Sequence, residues 1–168
     1  MPGTEWLDGY DGQTTDELIA LEKDYRIDSI VLAFEQAVQE KEYECGPENL
    51  TDAERVIVAV EAIEREVNNG GYGQFFINSS NAYAPIAVSA LNQIGCSATA
   101  AITQRAINAL GALPDLSPET LEDRMNEDDP ARDEALGKAD EDYYSTGEAI
   151  ADRLFDFIKQ NRAQILSR

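Results

Sequence analysis

No histidine occurs among the 168 residues of this chain. That removes the side chain that titrates near neutrality, the commonest general base and metal ligand, and every Ser-His or Cys-His nucleophile pair. Cysteine is scarce too: Cys45 and Cys96 stand 51 positions apart without CxxC spacing, which predicts reduced thiols instead of a disulfide or a zinc site. Nowhere do about 18 apolar residues run together, so no membrane span is expected. The start, "MPGTEWLDGYDG", has neither the basic nor the apolar segment of a leader. The expectation is a soluble cytoplasmic protein. Strand signals are nearly missing: "VIVAV" is β-branched, but its flanking charges keep step with a helix.

Positive charge is the other shortage, with 13 Lys and Arg against 33 Asp and Glu and a formal net of -20. Such a field repels nucleic acid and anionic membranes and attracts basic partners. The acids are unevenly spread. Residues 1–48 hold 13 acids and 3 bases, 49–114 hold 5 and 3, 115–142 hold 12 and 3, and 143–168 hold 3 and 4. A proteome adapted to salt would acidify every helix, so two blocks beside a nearly neutral stretch point to a binding face.

Apolar residues, 43% of the chain, recur at helical spacing almost throughout, and 168 residues suit one domain. The fold class expected is all-α, a single compact multi-helix domain. Leu18, Leu21 and Tyr25 form one stripe behind a cap at Thr14 or Thr15. Ile27, Ile30, Val31, Phe34 and Val38 form the next. Thr51 and Glu54 have capping-box spacing ahead of Val56, Val60, Ile63 and Val67, with Gly70 as the left-handed stop. Further helices are expected from Pro85 to Gly95, from a cap at Ser97, from Ser117-Pro118, and from about Thr146 to Leu166.

In the second acidic block a helical wheel groups Glu119, Glu122, Asp123 and Glu127 opposite Leu121 and Met125. Beyond Asp128, Asp129 and Pro130, it groups Asp133, Glu134, Asp140 and Glu141 away from Ala135 and Ala139. The first block contributes Asp16, Glu17, Glu35, Glu40 and Glu42. Like charges at i,i+4 cost a helix a few tenths of a kcal/mol each, so these fifteen carboxylates are taken as the candidate partner-binding face. A helical carboxylate row advances about 6 Å per four residues, comparable with the rise of about 3.4 Å per phosphate along one DNA strand taken two at a time. Acidic helices can therefore present a phosphate-like pattern to Lys and Arg.

Catalytic residues, metal ligands and cofactors are not expected. "DGYDG" and "NEDDP" lack the calcium-loop pattern, and "GGYGQ" follows a helix and has no Lys to meet a phosphate. What remains is "EREVNNGGYGQFFINSS", Glu64 to Ser80. Glu66, Asn68, Asn69, Gly70, Gly71, Gln74, Phe75, Phe76, Asn78 and Ser79 form a polar and aromatic set around a chain reversal. Glu66 falls in a last helical turn, where the dipole disfavours an anion, so it needs a partner. Its preferred role is structural, the amides and carboxylate satisfying backbone freed at two helix ends.

The string "EVNNGGYGQFF-NSS", continuing into "ALNQIG" at Ala90–Gly95, resembles the bacterial DNA-mimic-protein family, whose pattern is E-V-N-N-G-G-[FY]-x-Q-[FY]-[FY] followed by N-S-[ST]-G. This chain departs at Asn81, where Gly is usual. The strong similarity spans about residues 50–112; the acidic flanks match in character. The resemblance implies an all-helical fold, and the family's best-understood member looks dimeric; with histidine and catalytic motifs missing, a non-enzymatic protein is expected. For that member it also implies an acidic face that occupies the DNA-binding surface of a helix-turn-helix repressor. Together with the charge, this leads us to expect a basic DNA-binding partner, a transcription factor or a nucleoid-type protein, and no direct contact with nucleic acid or membrane. Two alternatives stay open: an immunity or antitoxin protein masking a cationic nuclease, and an enzyme or small-ligand binder at the Glu66–Gln74 turn.

Overall fold

The computed structural model describes residues 3–167, and among them the chain forms eight α-helices and no strand, with one isolated bridge between Glu5 and Tyr25. The protein is all-α. Its helices gather into two compact units, one made of residues up to Glu61 with those from Ala149 on, the other of Ala62–Glu148.

In the first unit α1 (Thr15–Ala20) starts at Thr14, whose hydroxyl accepts the Glu17 N–H at 3.2 Å. It is shorter than its apolar stripe predicts, because the chain tightens into a 3-10 turn at Leu21–Lys23. In α2 (Ile27–Cys45) Ile30, Val31, Phe34 and Val38 are buried as their spacing predicts. The capping box at the start of α3 (Asp52–Ile77) is real: the Glu54 N–H donates to Thr51 Oγ1 at 3.1 Å, and the Thr51 N–H donates back to Glu54 Oε1 at 2.8 Å.

Glu54 does more than cap. Its fully buried carboxylate also accepts Lys41 Nζ at 2.8 and 3.0 Å and the Leu166 N–H at 2.9 Å. Burial opposes its charge, yet the bonds from Lys41, Thr51 and Leu166 outweigh that and hold its carboxyl below the usual range. The last helix, α8 (Ile150–Gln160), packs on α2 and buries Leu154 and Ile158. It is half as long as expected: Gly147 and Ala149 delay its start, and a 3-10 turn at Arg162–Gln164 replaces its end.

The second unit holds the later part of α3, a 3-10 turn at Ser79–Tyr83, α4 (Ala84–Gln93), α5 (Ser97–Ala109), α6 (Pro118–Asn126) and α7 (Pro130–Ser145). α5 packs against both α4 and α7, and α6 against the 3-10 turn. Tyr72, Phe75, Phe76, Leu91, Ile107 and Leu121 are fully buried, and each such apolar side chain contributes about 1.5–3 kcal/mol by leaving water. Ser97 is not the cap of α5. It is already helical, and Glu148 accepts the N–H groups of Ala98 and Thr99 at 3.2 and 2.8 Å instead. A carboxylate there meets two free donors and the positive end of the helix dipole together.

Candidate functional site

The "NNGG" stretch does not end α3; it kinks it. Gly70 was expected to supply the left-handed residue, but its φ is -156°, while Gly71 has φ 79° and ψ -177°, a conformation essentially confined to glycine. The helix restarts at Tyr72 and ends at Ile77. Across the kink the buried Glu66 carboxylate accepts from Gln74 Nε2 at 2.7 Å, Asn78 Nδ2 at 2.9 Å and Ser80 Oγ at 3.0 Å. Burial pushes against ionisation, but the three donors win and keep the Glu66 carboxyl below its ordinary range. Asn81, the departure from the family pattern, is buried and donates to the Phe76 carbonyl at 2.9 Å. Asn68 donates to the Glu64 carbonyl at 2.6 Å; Asn69 and Ser79 are exposed and take no part in the cluster.

This joint also seats the second acidic helix. Asp140 of α7 accepts the Tyr72 N–H at 2.8 Å, capping the restarted helix from outside it. A Cβ on Gly71 would lie 2.4 Å from Asp140 Oδ2. The Tyr144 hydroxyl donates to the Val67 carbonyl at 3.1 Å, and the Tyr143 hydroxyl donates to the Glu64 carboxylate. Burial pushes the Glu64 carboxyl up to about 7 and also raises that of Asp140, where the Tyr72 N–H only partly compensates. Asp140 was expected on the outer face; it is half-buried and turned onto the joint. The wheel also placed Ala135 and Ala139 on one inner side, but only Ala139 is buried.

The remaining candidate carboxylates of this block fall into two sets. Asp129 caps α7, accepting the Arg132 N–H at 3.1 Å, and Asp133 is ion-paired with Arg132 at 2.8 Å. Glu119, Glu122, Asp123, Glu127, Asp128, Glu134 and Glu141 are all exposed, and none is ion-paired among the described residues. They lie along α6, the corner after it, and α7. Arg132, which the sequence gave no reason to single out, sits at that corner; a lone base amid "NEDDPARDE" was the available signal.

The first block is arranged differently. Glu35 is 3% exposed and so does not belong to any face; it lies among Phe34, Val38 and the other inner positions of α2. Asp16 is ion-paired with Arg162 at 3.2 Å. Asp16 and Glu40 line a concave surface with Tyr10, Thr14, Glu44 and Arg162. Glu17 and Glu40 are exposed and Glu42 is half-exposed, none ion-paired among the described residues. Among the described residues, no group of three His, Cys, Asp or Glu side chains could hold a metal ion and no helix is long and apolar enough to cross a membrane.

An all-helical chain with its buried acids satisfied and its surplus acids displayed on helices is built as an acidic surface protein. The chain belongs to the family described as DMP19-like protein, the DNA-mimic-protein family, whose model matches residues 48–161. That match runs beyond the joint through α6, α7 and α8. No curated protein and no solved structure matches the chain.

Proposed function

We propose that this protein acts as a DNA mimic: the free carboxylates of α6 and α7 engage the DNA-reading surface of a basic DNA-binding protein, such as a helix-turn-helix regulator, and block its hold on DNA. The observation that carries the reading is the exposed set Glu119, Glu122, Asp123, Glu127, Asp128, Glu134 and Glu141, none of them ion-paired among the described residues. Successive turns of such a helix repeat charge about every 5–6 Å, within reach of Lys and Arg side chains arranged for phosphates. Association is expected to be fast and to weaken steeply with salt. The protein carries out no chemistry in this reading, works in the cytoplasm without binding nucleic acid or membrane, and forms a homodimer, which sedimentation checks.

The deciding experiment is affinity capture from native lysate at low and high salt, followed by a DNA-release assay with the captured protein. Recovery of a basic DNA-binding protein that leaves its DNA when this chain is added supports the reading. A captured partner that stays on DNA defeats it.

A further inference from the structure

Arg132 is the one arginine buried among the described residues, at 6% exposure, and it lies inside an acidic stretch. Its guanidinium donates from Nη1 to the Arg124 carbonyl and from Nη2 to the Glu127 carbonyl at 3.0 Å, both at the end of α6. Nε and Nη2 donate to Asp133 Oδ1 of α7 at 3.1 and 2.8 Å. Its own N–H meets Asp129, the cap of α7. One planar fork thus gathers the last carbonyls of one acidic helix and the first turn of the next. A cation is favourable at a helix C-terminus, but an exposed lysine would serve that purpose; burial and the fork fix an angle as well.

We infer that Arg132 is a positioning residue: by clamping α6 to α7 it fixes the spacing between their carboxylates, and that spacing, more than net charge, selects the cationic surface bound. The selectivity half rests on the α6–α7 reading above; the clamp does not. Arg132→Met removes a positive charge, so coulombic attraction alone makes the surface better for every cation. The clamp requires the opposite for a rigid partner, whose charges cannot follow a changed spacing. Arg132→Lys keeps the charge but cannot reach both carbonyls and Asp133 together.

Spin labels at Glu122→Cys and Glu134→Cys, in a Cys45→Ser background, report the α6–α7 distance in the protein alone. The Arg132→Lys variant, at a temperature where circular dichroism shows it folded, is expected to broaden or shift that distance distribution. Binding is then titrated at one low salt concentration against two probes, the tightest binder from a panel of purified helix-turn-helix DNA-binding domains and flexible poly-L-lysine. Expected is roughly tenfold weaker binding of the rigid domain by both variants, a difference of about 1.4 kcal/mol. Poly-L-lysine should bind Arg132→Lys unchanged and Arg132→Met equally or more tightly. Unchanged label distances in folded Arg132→Lys overturn the clamp, and parallel changes with both probes overturn the selectivity. A parent protein that binds none of the domains overturns the functional reading and the selectivity with it, while the label distances still decide the clamp.

Discussion

The two acidic blocks carry nearly the same charge, -10 over residues 1–48 and -9 over 115–142, and use it in different ways. In the first unit some acids are drawn inward or matched: Glu35 is buried, Asp16 meets Arg162, Asp28 meets Arg26 and Glu22 meets Lys159, while Glu17 and Glu40 stay exposed. In the second, Asp140 seats α7 on the joint, Asp129 caps α7, Asp133 meets Arg132 and Asp142 meets Arg105 and Lys138, while the seven carboxylates named above along α6, the corner and α7 face water. A regional count of charge therefore says little about the field a partner meets. What matters is which carboxylates the fold has already answered.

That contrast can be broken first where an acid is most completely answered. Lys41→Ala strands the buried Glu54 and is expected to cost about 3–5 kcal/mol in urea unfolding. Next, Glu119, Asp123 and Glu127 changed together to Lys should slow association with the captured partner by roughly 10–1,000-fold at low salt while leaving unfolding within about 0.5 kcal/mol of the parent. The same reversal at Glu17, Glu40 and Glu42 should do distinctly less; equal effects would erase the difference between the blocks.

Glu64 offers a smaller test inside the second unit. Its carboxyl titrates near 7 when folded, above the ordinary 4.5, so the folded state holds the extra proton between those values. Stability from this group is complete below about 4.5 and falls as pH rises through 7. Glu64→Gln should flatten that decline and stabilise the protein by about 2–3 kcal/mol at pH 8, since each pKa unit is about 1.4 kcal/mol. A pH profile of melting that is identical in the two proteins would show that Glu64 does not titrate there. Last, Gly71→Ala should destabilise by about 1–3 kcal/mol, and Asp140→Gly in the same chain should recover the part due to the clash but not the part due to the backbone.

Local rules made much of this molecule readable. The Thr51–Glu54 box, the caps at Thr14 and Ser117, the stripes of α2 and α3, and the need for partners around Glu66 all follow from residues within a few turns of one another. The misses share a cause. Glu148 caps α5 from 49 residues away, and Asp140 caps the restarted α3 from 68; no local pattern announces a donor or acceptor brought by another helix. The wheel also failed at Ala135, because equal angular spacing ignores how much of each helix its neighbours cover. The site was legible as a composition, and its division into free and engaged carboxylates was not.

The contact between Gly71 and Asp140 leaves a mark that should be readable in ancestry. Position 71 is constrained twice, by its backbone angles and by the carboxylate pressed against it, whereas Asp140 is constrained only by the joint it caps. Among descendants of a common ancestor the two sites should therefore covary in one direction. Chains that have lost the acid at 140 are expected to keep the glycine, and chains that have lost the glycine are expected not to keep the acid.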